Sequence, residues 1–208
     1  YSVVSKEGTV GHVPIAYNVM GILPVKNYTT SVWGIDKDNM DAYTTQRIRS
    51  RFKARRKPCW ACQFDHNSML EISQGKYAGL VLEEPEYEGM AAWSSQVGIA
   101  DVATSLALAN AVDRLGMDTN HAGWLIAWLM ECYEKELISR EALDGIDLRW
   151  GNAEAALAML RRIATRQGVG DVLAEGLPRA TERFSPEARS LAIYTKKGTT
   201  PRSHDHRL

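Results

Sequence analysis

The chain has 208 residues, 25 Lys+Arg against 25 Asp+Glu and a formal net charge of +0, with 45% hydrophobic and 24% charged residues. That balance lacks the basic excess with which nucleic-acid-binding proteins neutralise phosphates. No apolar run approaches the roughly 20 residues that span a bilayer. Lys6 and Glu7 interrupt any apolar leader core. The three cysteines, Cys59, Cys62 and Cys132, form no paired pattern, which points to a reducing cytoplasm rather than a disulfide framework. A chain of this size buries most of its apolar surface without staples, as one large domain or two small ones.

In chain order, Gly8, Gly11, Pro14, Gly21, Pro24 and Gly34 punctuate short apolar stretches, so the first 35 residues read as loops with one short strand. Asp38 to about Lys53 reads as one helix, capped by Asp38 and carrying Met40, Tyr43, Ile48 and Phe52. Pro58 ends the basic run that follows it. A loop-rich stretch then extends to about Gly98. From Asp101 to Leu115, Val102, Leu106, Ala109 and Val112 fall at helical spacing, and Gly116 stops that helix. Asp118 or Thr119 caps a second helix through Tyr133, apolar almost all round and therefore central in the core. Ser139 begins a short third helix. Asn152 caps a fourth, Ala153 to Gln167, closed by Gly168 as its C-terminal glycine. Further turns follow over 171–176 and 178–184, and Pro186 opens a last one. The expected fold is mainly α, a multi-helical domain with a loop-rich N-terminal third. The absence of a starting Met and the polar run at 201–208 are read as those of a central domain of a larger protein.

Cys59-Trp-Ala-Cys62 is the first chemical signal. Two thiolates at that spacing can face one ion or one cluster iron. Seven basic residues between Arg47 and Lys57 precede the pair, and a positive field lowers thiolate pKa and stabilises an anionic cluster. A redox dithiol would sit between a strand and a helix start, and no such unit is visible. Two ordinary cysteines remain the plain alternative. No second pair completes a tetrahedral zinc site, so any metal needs ligands from elsewhere, with Asp65, His66 and Cys132 as candidates. Cys132, in the most apolar helix, reads as a buried inert thiol. Gly168-Val-Gly170 lacks the third glycine and the preceding strand of a dinucleotide fingerprint.

Several segments run in a familiar order: Pro85-Glu-Tyr-Glu-Gly-Met90, Gly98-Ile-Ala-Asp101, Asp113-Arg-Leu-Gly-Met-Asp-Thr119, Met130-Glu-Cys-Tyr-Glu134, Leu148-Arg-Trp-Gly-Asn152, Gly168 to Gly176, and Lys197-Gly198 with Pro201 and Asp205-His-Arg207. Together they resemble the middle, helical domain of the aldehyde ferredoxin oxidoreductase family, over nearly the whole chain. The resemblance implies a tungsten bis-pterin cofactor (tungstopterin) and one 4Fe–4S cluster. It also divides the chain into a loop-rich, cluster-binding part (1–98) and a helical, pterin-contacting part (99–208).

Residue by residue, the family's Cys-x-x-Cys-x-x-x-Cys run maps its first two cluster ligands onto Cys59 and Cys62. The third position is His66, which implies an imidazole ligand that raises the potential; a surface or capping histidine is the alternative. The family's pterin motif maps onto Asp113-Arg-Leu-Gly-Met-Asp118. A carboxylate at Asp113 accepts paired N–H bonds from a pterin, Gly116 lets the chain turn beside the ligand, and Asp118 starts the next helix. The plain reading is a solvated Asp113 and Asp118 as a simple cap. Glu88 best matches the family's acidic residue beside the metal, a general acid/base candidate, ahead of Glu84 and Glu86. His204-Asp-His-Arg207 departs from the family pattern, and Arg207 is a candidate for cofactor phosphate.

The implied activity is oxidation of aldehydes to carboxylic acids, with electrons passed to ferredoxin or electron-transfer subunits. The departures at His66 and His204 keep a second branch open, the tungsten subunit of a benzoyl-coenzyme A reductase acting on an aryl-coenzyme A. A third reading, of another class, is a helical interaction domain whose Cys59-x-x-Cys62 holds zinc or nothing.

Overall fold

The computed structural model describes residues 2–204; Arg207, with Asp205 and His206, lies outside the described residues. The N-terminal stretch expected as loops and a strand is largely helical. α1 (Ser2–Glu7) leads to a helical run that includes α2 (Val13–Ile15) and ends at Gly21, whose φ of 66° closes it. Val13 and Ala16 are buried there, so the apolar residues pack from a helix instead of a strand. The pairing in this region is one bridge, Val25 with Thr30, which closes a turn in which Lys26, Asn27 and Tyr28 all have positive φ (45°, 55° and 57°). Three successive left-handed non-glycine residues are costly. The turn is held by long-range bonds from Asn27 Nδ2 to Glu131 Oε2 (2.6 Å) and to the Leu191 carbonyl (3.0 Å).

The helix expected from Asp38 to Lys53 is two, α3 (Lys37–Asp41) and α4 (Thr45–Arg51). Asp36, not Asp38, caps the first, accepting from the Asn39 N–H at 2.8 Å. The split has a cause in the apolar spacing. Tyr43 and Ile48 are five apart, out of phase on one helix, yet both are fully buried because the chain breaks between them. A small antiparallel sheet follows: β1 (Arg55–Arg56), β2 (Ser68–Glu71) and β3 (Val81–Glu83), in that order, with Arg55 opposite Met69 and Leu70 opposite Leu82. The connection between β1 and β2 carries Cys59 and Cys62. It is closed by the Lys57 N–H donating to the Asn67 carbonyl at 3.0 Å.

α5 (Tyr87–Ala92) lies in the stretch expected to be irregular. From there the expected helices appear. α6 (Val102–Arg114) is capped by Asp101 and α7 (Thr119–Glu134) by Asp118, whose Oδ1 accepts from the His121 N–H at 2.7 Å. Ser139 precedes a single 3-10 turn, Glu141–Leu143. α8 (Ala153–Thr165) is capped by Asn152, but its left-handed C-terminal residue is Arg166, while Gly168 (φ 56°, ψ −131°) starts α9 (Val169–Leu173) in a conformation open only to glycine. α10 (Leu177–Thr181) and α11 (Pro186–Ser190), the latter capped by Ser185, complete the chain.

Two apolar clusters share α5 and α6. One holds Val10, Val13, Ile48, Leu70 and Leu82 with Tyr87, Met90 and Leu106; the other holds Trp93, Val112, Trp124, Trp128, Leu160 and Leu177. α7 runs through the second cluster, and twelve of its sixteen residues are buried, as its all-round apolar pattern requires. α5 crosses α7 so closely that a Cβ on Gly123 would stand 2.7 Å from Ala92 Cβ. The Trp93 Nε1–H bonds Thr119 Oγ1 at 3.0 Å across the same crossing.

Candidate functional site

The Cys59 and Cys62 thiols sit on one turn, where the Cys62 N–H donates to the Cys59 carbonyl at 3.2 Å. Cys59 is exposed and Cys62 half-buried. Ala61 and Asp65 take positive φ (54° and 46°), and Trp60 projects outward at 98% exposure. The turn rises from a basic base. Arg56 pairs with Asp65 (2.8 Å), and Lys57 pairs with Glu83 (2.5 Å), whose other oxygen accepts from Asn67 Nδ2 (2.5 Å).

His66 does not share that exposure. Its side chain is 18% exposed, with Nε2 3.5 Å from Glu86 Oε1. Its carbonyl accepts from Arg49 Nη2 at 2.7 Å. Arg49 grips Glu84 through Nε (2.8 Å) and Nη2 (2.7 Å) and donates through Nη1 to the Lys6 carbonyl (2.7 Å). Glu84 is buried, and the two-pronged pairing raises the Arg49 pKa above its ordinary value. Sequence reasoning passed over this junction. Arg49 is one of seven basic residues in a run, and nothing local distinguishes the one that turns inward.

Glu88 stands in the first turn of α5 and is half-buried. Its carbonyl accepts from Ser203 Oγ at 3.3 Å, the Tyr87 hydroxyl donates to the Ser203 carbonyl at 2.8 Å, and the His204 ring lies 5.0 Å from that of Tyr87. The start of α5 therefore meets the C-terminal segment. Burial pushes the Tyr87 hydroxyl pKa far up, so it remains a donor.

Asp113 lies in the last turn of α6 with an exposed carboxylate that no hydrogen-bond donor among the described residues reaches. Crowding by the surrounding chain, then the charge of Glu83, raises its pKa above its ordinary value. Glu83 also holds Lys57, so the Asp113 turn and the cysteine hairpin lie close enough to share one acidic neighbour. Gly116 has φ 70°, and nothing stands within 4 Å of where its Cβ would be, so the turn is open above the backbone. Asp118 spends one oxygen as the cap of α7. It also lines a cleft of about 400 Å³ with Met117, His121, Leu125 and Ile163. A larger cleft of about 700 Å³, lined by Lys26, Tyr133, Arg140, Arg149 and Trp150, includes none of the expected site residues.

Cys132 is fully buried, with its thiol 3.8 Å from the Ala188 carbonyl and its pKa pushed up to about 12 by burial. It is an inert core thiol, as its helix implied. Among the described residues, no three His, Cys, Asp or Glu side chains gather as an ion site, and no helix is long and apolar enough to cross a membrane.

Residues 1–208 match aldehyde ferredoxin oxidoreductase, domains 2 and 3, over their full length. The chain belongs to this family. A tungsten-containing aldehyde ferredoxin oxidoreductase of Pyrococcus furiosus is 34% identical over 178 residues, 85% of this chain and 28% of the relative. The aldehyde ferredoxin oxidoreductase match therefore spans little more than a quarter of that relative's length. A second Pyrococcus furiosus protein, the WOR-like subunit of an aliphatic sulfonate oxidoreductase, is 30% identical over 132 residues, 62% of this chain and 21% of its own. Among solved structures, a chain of the BamBC active-site complex of benzoyl coenzyme A reductase with 1,5-dienoyl-CoA superposes with a TM-score of 0.74 at 17% identity, covering 93% of this chain and 28% of that one. That likeness fixes the fold, and the tungsten-containing relatives mark the family as enzymatic.

Proposed function

We propose that this chain is the central part of a cytoplasmic tungstopterin and iron–sulfur oxidoreductase that oxidises aldehydes to carboxylic acids and passes the electrons to ferredoxin or an electron-transfer subunit. The family match over residues 1–208 carries this reading. Two features of the donor set support it.

The first is Asp113. Its carboxylate lacks a donor among the described residues and its pKa is raised, so it is suited to accept N–H bonds from a pterin, beside a Gly116 turn with open space above it. The second is the hairpin, which carries two thiols, one exposed and one half-buried, on a single turn at the spacing with which cysteines hold cluster iron. When bound, the tungstopterin supplies two-electron exchange at the substrate and the cluster carries those electrons singly. In this scheme Asp113 orients the pterin and Asp118 shapes the turn. Cys59 and Cys62 hold cluster iron through Sγ. Glu88 holds or releases a proton at its carboxylate as general acid/base. Arg207 is assigned to cofactor phosphate. The remaining domains of the enzyme supply the other ligands.

The test uses the full-length protein purified without oxygen. Tungsten, about four irons, brown absorbance and aldehyde-dependent viologen reduction are expected. Reduction of benzoyl-coenzyme A without aldehyde oxidation assigns it to the ring-reducing branch that shares the fold. Zinc without iron defeats the proposal.

A further inference from the structure

His66 takes the place of the third cluster cysteine, but its ring is already engaged. Nε2 lies 3.5 Å from the Glu86 carboxylate. A lone pair turned toward a carboxylate repels it, so Nε2 carries its hydrogen toward Glu86 and Nδ1 is left with the lone pair. Nδ1 lies beside Gly8, on the side of Arg49 and Glu84. A Cβ on Gly8 would stand 3.2 Å from it, 3.2 Å from Arg49 Nη2 and 3.3 Å from Glu84 Oε1. A ligating imidazole needs that lone pair free to point at iron. Glu86 is held from its other side as well. Its second oxygen accepts from Thr9 Oγ1, and that hydroxyl accepts in turn from the Tyr87 N–H at 3.1 Å. Glu86 is the residue that precedes α5, with Glu88 two positions on.

We propose that His66 is a positioning residue and not a cluster ligand: through Glu86 it fixes the first turn of α5, and with it Glu88, against the base of the Cys59–Cys62 hairpin. Arg49 anchors the same junction by holding the His66 carbonyl and Glu84. The assignment rests on the cluster reading above. It implies that the cluster draws the rest of its ligands from elsewhere in the protein.

The full-length protein, reduced and examined by pulsed EPR, tests this without any variant. The expected wild-type cluster shows no strong coupling to an imidazole ¹⁴N. His66→Cys is expected to leave the cluster potential unchanged, whereas exchanging an imidazole ligand for a thiolate lowers it. His66→Gln and Glu86→Ala are expected to keep their iron and lower kcat about tenfold with KM little changed, and Glu86→Gln, which keeps an acceptor, to recover most of the rate. A directly bound ¹⁴N signal, a lowered potential in His66→Cys, or iron loss in His66→Gln at an unchanged melting temperature overturns the assignment alone. Wild-type kcat in both His66→Gln and Glu86→Ala overturns the positioning role. Wild-type protein without iron overturns this assignment together with the cluster reading beneath it.

Discussion

Residues 2–98 and residues 99–204 hold themselves together by different means. In the second region α6, α7 and α8 run for thirteen, sixteen and thirteen residues and bury Trp124, Trp128, Leu129 and Leu160 against one another. In the first, no α-helix among the described residues exceeds the seven of α4. Its apolar cluster around Val13, Ile48 and Leu70 is supplemented by polar joints: Arg49 on Glu84, Thr9 on Glu86, Asn67 on Glu83. Apolar burial is non-directional and tolerates small shifts. A buried charge pair tolerates none, because either partner left alone keeps its desolvation cost. The candidate residues divide along the same line, with Asp113 on a long helix and Cys59, Cys62 and Glu88 around the polar junction.

That contrast can be broken from either side. The largest effect is expected at Trp128, fully buried, bonded through Nε1 to the Ala188 carbonyl at 2.7 Å and set edge-on to Phe184. Trp128→Ala should cost about 4 kcal/mol in denaturant unfolding. Arg49→Ala should cost about 3 kcal/mol by stranding Glu84, and adding Glu84→Ala should recover part of that loss; two losses that simply add would show that the pair is not a unit. A smaller effect is expected from pH. His121 Nε2 accepts from the Leu177 N–H at 2.9 Å, and burial lowers its pKa below 6.5. The unfolded chain therefore binds the proton more readily. The contribution is complete above pH 6.5 and is lost as pH falls through the lower folded value. Melting temperature should drop over that window in wild type and less so in His121→Gln. Asp113→Asn should have the smallest effect on stability, and of opposite sign. Its raised pKa means the folded state is favoured when the group is protonated and loses that contribution as pH rises through the folded value. At neutral pH the variant should melt no lower than wild type, while the full-length enzyme carrying it should lose tungsten on metal analysis.

The helical region was legible because its signals are local. Asn152 caps the helix it was expected to cap, and of the two candidates Asp118 and Thr119 it is Asp118 that caps α7. The first region was not, because its elements answer to distant partners. β1 has no buried position, β2 buries Ser68 and Leu70, and β3 buries Leu82, too short and too polar a pattern for apolar alternation to show. Asp38 is not a cap because α3 already begins at Lys37 and Asp36 takes that place, and the expected single helix is two because the chain breaks after Tyr43 to seat two out-of-phase side chains. At the site, the identity of the candidates came through motif order. The inward turn of Arg49 and the engagement of His66 with Glu86 depend on contacts 35 and 20 positions away in sequence, with no local trace.

The left-handed turn at Lys26–Tyr28 has a consequence for synthesis. Its anchors are Glu131 and Leu191, 104 and 164 residues further along the chain. The N-terminal segment leaves the ribosome long before either exists, and closing loops of that length is entropically slow. This turn is therefore among the last pieces to lock. Until Glu131 has been made the Asn27 amide has neither of its anchors, and the second comes only with Leu191.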